Sequence, residues 1–221
     1  MALSAKLKIS DEFEAEIFFS KLRGTKKKLV VPSNRLFYAQ GDPATHVFWI
    51  RSGAVKLHVL SKQGKEAVVA LLGPGDLFGE WSVSGRIRQL TNAVAVTDCV
   101  VMKANKNQIL LAIHRDAAFA NFVINYTLRR KRAAEENMVD LMFNSTEKRL
   151  ARALLQLANF GKSGSPLVNI PKVNQDTLAG VIGSTRTQVN LLMNKFKKMG
   201  FIKYNGGMQI HNTLLRVVLE D

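Results

Sequence analysis

A short segment, residues 174–202, constrains the fold most strongly, because its small and apolar residues have the spacing of a helix-turn-helix. Two helices that cross closely need a small residue at the crossing, and Ala179 supplies one. Four residues later, Gly183 permits the positive φ of a sharp turn without the steric penalty of a β-carbon. The apolar residues expected to face inward are Leu178, Ile182, Val189 and Leu192. We therefore predict two crossed helices in this segment.

The second helix of this motif carries polar residues that suit contact with DNA. Ser184 is expected to cap its N-terminus, so that Thr185 and Arg186 lie in the first turn and face the major groove. An arginine there can bind O6 and N7 of guanine with two hydrogen bonds. The predicted DNA-binding residues are Ser184, Thr185, Arg186, Thr187, Gln188, Asn190, Lys195 and Lys203. An ordinary helical hairpin is the alternative interpretation of the spacing.

Two short runs after the motif, residues 201–204 and 208–211, indicate a β-hairpin. They are joined by Asn-Gly-Gly, and Asn-Gly is a strong hairpin signal because a type I′ turn needs positive φ at both central residues. A hairpin directly after a recognition helix is the wing of a winged helix. Wings usually contact the phosphate backbone, and Lys203 is the residue expected to do so.

The charge of the chain favours a polyanionic partner. The sequence has 32 Lys and Arg against 17 Asp and Glu, a net charge of +15. Residues 144–221 hold 11 basic and 4 acidic side chains, the densest excess in the chain. We therefore predict double-stranded DNA as the partner, with a merely solvated basic face as the alternative.

Several other classes of protein do not fit the sequence. Cys99 is the only cysteine, which excludes an intrachain disulfide and a site with several cysteine ligands. No apolar run approaches the roughly 20 residues that span a bilayer, so we expect a cytoplasmic protein with no membrane partner. No catalytic constellation and no metal-ligand spacing emerges, so we expect no enzyme and no metal site.

The first half of the chain has the pattern of a β-sandwich. From residue 29 to about 103, apolar and polar residues alternate in short runs that turn residues separate. The clearest predicted strands are residues 46–51, 55–60, 67–72 and 93–102. Residues 10–22 before them have helical spacing. We therefore expect an α+β protein whose residues 1–116 form a β jelly roll.

A long helix is expected next, because residues 105–143 contain neither glycine nor proline. Its main part, residues 117–143, has an apolar seam of Phe119, Val123 and Tyr126 that polar residues continue at three-and-four spacing. Such a seam can pair with a copy of itself, so residues 117–143 are predicted to be a dimerisation helix. Packing of the helix on its own domain is the alternative.

A break at residues 144–146 separates the long helix from a further predicted helix at residues 147–160. Ser145 or Thr146 can cap this helix. The break marks the expected hinge. Residues 144–221 are therefore predicted to form a winged helix-turn-helix domain.

Jelly roll, long helix, break and winged helix, in this order, resemble the cyclic-AMP receptor protein and fumarate–nitrate regulator (Crp/Fnr) family of bacterial transcription factors. Residues 75–80, Gly-Asp-Leu-Phe-Gly-Glu, are similar to the phosphate-binding cassette of that family, and residues 95–99 follow as in the family. The resemblance implies a homodimeric DNA-binding regulator that is controlled through its jelly roll, with RNA polymerase as a further partner. A nucleotide-responsive sensor that acts through protein contacts is the alternative.

The resemblance also indicates a ligand pocket, in which Gly79 and Glu80 match the family's contacts to a cyclic nucleotide. Counting back from residues 97–98 puts Gln89 where the family has an arginine and Leu90 where it has a hydroxyl. An amide cannot replace the charged, bidentate grip of a guanidinium. The predicted ligand-binding residues are Gly79, Glu80, Trp81, Gln89 and Leu90.

Two further departures bear on the ligand and on the operator. Ala134 and Glu135 stand where the cyclic-AMP receptor has two hydroxyl residues near the purine. High-affinity binding of cyclic AMP is therefore not expected, and a different cyclic nucleotide or small effector remains possible, although Arg86 and Arg88 can replace the missing arginine if the loop shifts register. In the recognition helix Arg186 matches the family's guanine-reading arginine, but Thr187 and Leu191 depart from the family pattern.

Overall fold

The computed structural model describes residues 16–20, 22, 26–64, 66–85, 87–158 and 166–219. Of the expected lead-in helix, residues 16–20 are helical and are called α1, and residues 10–15 and 21 lie outside the described part. The chain divides into two compact units. In the described part the first comprises the residues up to 59 together with 71–133, and the second comprises residues 60–70 and 134–219.

Eight strands in the described residues form two four-stranded sheets. The strands are β1 (Lys26–Val31), β2 (Leu36–Tyr38), β3 (His46–Ser52), β4 (Val55–Leu60), β5 (Glu66–Leu72), β6 (Leu77–Phe78), β7 (Asn92–Ala95) and β8 (Cys99–Asn105). The strand orders in the two sheets are β1-β8-β3-β6 and β2-β7-β4-β5. In β4, Val55 and Leu57 are buried and Lys56 between them is not, as the period-two pattern predicts, whereas four consecutive residues of β3, 47–50, are buried. The expected jelly roll is thus confirmed.

The predicted strand at residues 93–102 was wrong in one respect, because the chain turns at residues 96–98 and forms two strands, β7 and β8. Asp98 accepts a hydrogen bond from the Ser33 backbone N–H at 2.9 Å, and Thr97 accepts one from the Ala54 backbone N–H at 3.0 Å. These side-chain bonds to distant backbone replace the ladder bonds that a continuous strand would make.

The helical region at residues 105–143 is two helices rather than one. Helix α2 (Lys106–Arg115) ends before Asp116, and α3 (Ala117–Phe143) begins after it. Asp116 has an extended backbone, and its carboxylate accepts hydrogen bonds from the backbone N–H groups of Ala118 and Phe119 at 2.9 and 3.1 Å. Asp116 therefore caps α3, which has the predicted bounds.

The apolar residues at the start of α3 pack on the jelly roll, so the predicted self-pairing through Phe119, Val123 and Tyr126 was wrong. Phe119 and Tyr126 are buried with Phe122, Trp49 and other core residues, and Val123 packs against this cluster. Periodicity identifies an apolar face but not its neighbour. A different set of α3 side chains is more than half exposed: Ile124, Leu128, Met138 and Met142.

From residue 144 onward, the described part of the second unit forms four α-helices and a three-stranded sheet. These elements are α4 (Thr146–Ala158), β9 (Leu167–Asn169), α5 (Gln175–Ile182), α6 (Arg186–Lys198), β10 (Ile202–Tyr204), β11 (Met208–His211) and α7 (Leu215–Leu219). The strand order in the sheet is β10-β11-β9. Ser145 accepts a hydrogen bond from the Lys148 backbone N–H at 3.2 Å, as its predicted capping role requires. Residues 159–165 lie outside the described part, so the predicted end of α4 at residue 160 does too.

The wing differs from the sequence prediction in its turn and in its size. Tyr204 pairs with Met208, so the loop has three residues, 205–207. Gly206 has φ of 67°, whereas the only non-glycine residue with positive φ in the described chain is Asn34. The connection is therefore not the expected type I′ turn. The strand β9, which pairs with β11, had not been predicted.

Candidate DNA interface and ligand pocket

The turn between α5 and α6 has the geometry that the sequence predicts. Ala179 is buried, and Gly183 ends α5 with φ of 60° and ψ of 48°. The backbone N–H groups of Gly183 and Ser184 both donate to the Ala179 carbonyl oxygen, the latter at 2.9 Å. The turn therefore satisfies a backbone group at the end of α5 while it reverses the chain.

The N-cap of α6 is Thr185, so the predicted cap at Ser184 was wrong. The Thr185 hydroxyl accepts a hydrogen bond from the Gln188 backbone N–H at 3.2 Å, and its backbone is extended. Because the backbone of Ser184 closes the turn of α5, the extended position that a cap needs falls one residue later. Arg186 is consequently the first residue of α6.

Helix α6 has one buried face and one exposed face, as the spacing of its apolar residues predicts. The buried residues are Val189, Leu192, Met193 and Phe196. The exposed residues include Arg186, Thr187, Gln188, Asn190, Leu191 and Lys195. Thr185 and Lys203, which lies on β10, are exposed too, and Ser184 is half-buried. Their contact with DNA stays a prediction.

Three exposed side chains of α6 contact residues that sequence reasoning had not singled out. Arg186 Nη1 lies 3.5 Å from Asp176 Oδ2. Gln175 Nε2 donates to Asn190 Oδ1 at 3.3 Å. Lys195 Nζ lies 2.8 Å from a carboxylate oxygen of Glu147 on α4. The scarcity of acidic residues in residues 144–221 was the available signal for Asp176 and Glu147.

In the jelly roll, Gly79 lies where no other residue fits without distortion. Its φ is 77°, and a β-carbon there would approach the His46 carbonyl oxygen to 2.6 Å. A short 3₁₀ helix, Glu80–Ser84, follows directly. Gly79 therefore sets the turn near the end of the predicted cassette that leads into this 3₁₀ helix.

The carboxylate of Glu80 lies in a partly buried cluster with other charged groups. Burial raises the pKa of Glu80, the negative charge of Asp76 raises it further, and the positive charge of Arg130 on α3 lowers it. Burial has the largest effect, so the pKa of Glu80 lies above its ordinary value.

Two tyrosine hydroxyls bind backbone groups of the cassette, and sequence reasoning missed both. Tyr38 is buried, and its hydroxyl contacts the Gly79 backbone and the Thr91 side chain. The Tyr126 hydroxyl accepts a hydrogen bond from the Leu77 backbone N–H at 2.9 Å and donates one to the Leu77 carbonyl oxygen at 2.7 Å. Polar groups at both ends of residues 77–79 are thus bound by the protein's own side chains.

The remaining predicted pocket residues differ in exposure. Gln89 is 4% exposed and Trp81 is 45% exposed, and Leu90 is exposed too. The backbone of Gln89 bonds to Gly41 and Asp42 at 2.9 and 2.8 Å. Arg88, which a register shift was to bring into the pocket, donates to the Gly41 carbonyl oxygen at 2.8 Å. Arg86 lies outside the described residues.

Comparison with known families agrees with both halves of this arrangement. A cyclic nucleotide-binding domain matches residues 28–116, and a Crp-like helix-turn-helix domain matches residues 148–213. The chain belongs to the Crp/Fnr family. It shares with this family the architecture of a DNA-binding transcriptional regulator that carries a cyclic nucleotide-binding domain, and its relatives are regulators rather than enzymes.

Two characterised relatives of this Crp/Fnr chain are similar over most of its length. The CRP-like cAMP-activated global transcriptional regulator of Mycobacterium tuberculosis is 28% identical over 79% of this chain and 79% of its own. The cyclic AMP receptor protein of Thermus thermophilus is 29% identical over 82% of each chain. The structure of FixK2 from Bradyrhizobium japonicum has a TM-score of 0.78 at 20% identity, covering 88% of this chain and 96% of that one. That likeness shows the shared fold.

No helix in the described part of this Crp/Fnr chain is both long and apolar enough to cross a bilayer.

Proposed function

We propose that the protein is a homodimeric, sequence-specific transcriptional regulator in which Arg186 reads a base in the major groove. The observation that carries this proposal is the placement of Arg186 as the first residue of α6, exposed and directly after the Thr185 cap. The N-terminal turn of a recognition helix is the part that enters the groove. Gln188 and Asn190, which are exposed on the same helix, have the amide groups that bind adenine.

The exposed apolar residues of α3 support the dimer. Ile124 and Leu128 are repeated two heptads later by Met138 and Met142, and all four are more than half exposed. Residues with this spacing lie at the a and d positions of a two-stranded coiled coil, and Lys131 and Glu135 occupy these positions in the heptad between. The α3 helices of two copies therefore pair along these residues, and the two recognition helices address two half-sites.

The jelly roll is the regulatory part of the molecule, and cyclic AMP is not its high-affinity effector. Arg88 is bound to the Gly41 carbonyl oxygen, and Gln89 carries no charge at the position of the family's arginine. A different small effector regulates the protein only to the extent that it binds the DNA-competent conformation more tightly than the conformation that does not bind DNA. RNA polymerase is the further partner, and the cytoplasm is the location that these partners require.

Selection of sites from random duplex DNA, followed by competition binding, tests the DNA-reading role. Arg186→Ala should lose about 1–3 kcal/mol of discrimination at one base pair in each half-site. Lys195→Ala should instead weaken binding to all sequences alike and reduce the salt dependence by about one phosphate contact. Equal losses on selected and random DNA for Arg186→Ala would contradict base reading.

Calorimetric titration with cyclic AMP tests the claim about the effector. We expect no binding at micromolar ligand, because a neutral amide does not replace an arginine in a charged, bidentate contact. Saturable micromolar binding by the full-length protein would show that the assignment of Gln89 and Arg88 is wrong.

A further inference from the structure

Acidic side chains in the DNA-binding part are few, and the two that the structure describes both contact α6. Residues 144–221 contain four acidic residues, of which Glu220 and Asp221 lie outside the described part. The other two are Glu147, 2.8 Å from Lys195, and Asp176, 3.5 Å from Arg186. Each carboxylate is therefore placed against a cation that we assign to the DNA interface.

The beginning of α5 contacts two residues of α6 that lie one turn apart. Asp176 contacts Arg186, and the neighbouring Gln175 donates to Asn190 at 3.3 Å. Arg186 and Asn190 are four residues apart and so share one face of the helix. The first two residues of α5 thus contact the side chains that we assign to base reading.

The contact between Asp176 and Arg186 contributes little to folding. The two side chains are 64% and 71% exposed, and ion pairs in water at a protein surface are weak. Its larger effect falls on the complex with DNA, where a carboxylate beside the backbone repels phosphates. An arginine has five N–H donors in a planar fork, enough to bind a carboxylate and a guanine edge together.

We propose that Asp176 is a positioning residue that aims Arg186 at its base and raises the specificity of α6. Asp176 restricts the guanidinium of Arg186 before DNA binds. It also disfavours complexes in which Arg186 does not bind its base, because in those complexes the carboxylate faces phosphates. Gln175 restricts the Asn190 side chain through its hydrogen bond alone. This inference rests on the proposed role of Arg186 in base reading.

The test compares Asp176→Asn with the wild-type protein on the selected site, on each single-base-pair variant of it, and on random DNA. We expect binding to random DNA to become about threefold tighter, and discrimination at the base pair of Arg186 to fall about three- to tenfold. Asp176→Glu should recover part of the discrimination. In an Arg186→Ala background, Asp176→Asn should cause no further loss at that base pair.

Glu147→Gln is the matched control, because it removes the other carboxylate that contacts α6. It should raise affinity for selected and random DNA alike and leave discrimination unchanged. If Asp176→Asn gives the same pattern, the carboxylate acts only through charge and the inference is wrong. If Arg186→Ala itself leaves discrimination unchanged, the proposed base reading fails as well, so the two failures are distinguishable.

Discussion

The predicted ligand pocket and the recognition helix differ in what their polar groups contact. In the jelly roll, the hydroxyls of Tyr38 and Tyr126 bind the backbone at Gly79 and Leu77, so these backbone groups have internal partners. In the helix-turn-helix, the polar face of α6 is exposed, and its contacts are surface pairs with Asp176, Gln175 and Glu147. Buried polar groups need internal partners, whereas exposed groups can exchange partners with a ligand. We call the first site closed, because the protein's own hydroxyls bind these backbone groups, and the second site open, because its polar face is exposed.

We expect the largest loss of stability from a substitution that distorts the backbone of the cassette. Gly79→Ala forces a β-carbon to 2.6 Å from the His46 carbonyl oxygen at φ of 77°, so we expect a loss of about 3 kcal/mol in the free energy of unfolding. Both tryptophans, Trp49 and Trp81, lie in the first unit. Urea denaturation monitored by tryptophan fluorescence therefore measures this loss.

Gly85→Ala is the control for Gly79→Ala, because Gly85 has φ of 82° but open space around it. It should lose only about 1 kcal/mol, the effect of a left-handed backbone alone. Equal losses for the two variants would mean that the contact with His46 does not constrain the cassette.

The next largest effect concerns the link between α3 and the cassette. Tyr126→Phe removes a hydroxyl that both donates to and accepts from the Leu77 backbone, leaving two buried groups unpaired. We expect a loss of about 2 kcal/mol by the same fluorescence measurement. Tyr204→Phe, at an exposed residue of the second unit, should leave the fluorescence transition unchanged. If the Tyr126→Phe variant is as stable as the wild type, the Tyr126 hydroxyl does not stabilise the Leu77 backbone.

Local sequence patterns predicted the open site better than the closed one. Ala179 and Gly183 lie within one motif, and their spacing alone fixes a helix crossing and a turn. Tyr38 and Gly79 are far apart in sequence, so no local pattern indicates that the hydroxyl of one meets the backbone of the other. The predicted self-pairing through the α3 seam was wrong for a related reason. The spacing of Phe119 and Tyr126 does not determine whether a second copy of the chain or the jelly roll covers these side chains.

Two sequence predictions at the open site were wrong in detail, because the local structure there depends on a neighbouring helix or strand. The sequence allows both Ser184 and Thr185 as a cap, and only the end of α5 decides between them. The wing loop was misassigned because Asn-Gly permits a two-residue turn without requiring one, and the pairing of Tyr204 with Met208 fixes a three-residue loop. Such choices depend on backbone geometry that residue identity leaves open.

A smaller effect should separate the two candidate caps of α6. Thr185→Ala removes the hydroxyl that accepts from the Gln188 backbone N–H, so we expect the start of α6 to lose about 1 kcal/mol of protection. Amide hydrogen exchange of the full-length protein, followed by mass spectrometry, measures it. Ser184→Ala should leave this protection almost unchanged, and the reverse ranking would restore Ser184 as the cap.

The smallest effect is a change in pH dependence at the closed site. Burial raises the pKa of Glu80 above its ordinary value of 4.5, so the folded protein holds this proton more tightly than the unfolded chain does. The resulting stabilisation is fully present below pH 4.5 and is lost as the pH rises through the raised value. Glu80→Gln cannot ionise, so its free energy of unfolding should lack this decline, and its stability relative to the wild type should increase from pH 4 towards pH 7. Urea denaturation across that range checks the sign. A relative stability that stays constant with pH would place the Glu80 carboxylate in water, and the cassette would then be as open as the face of α6.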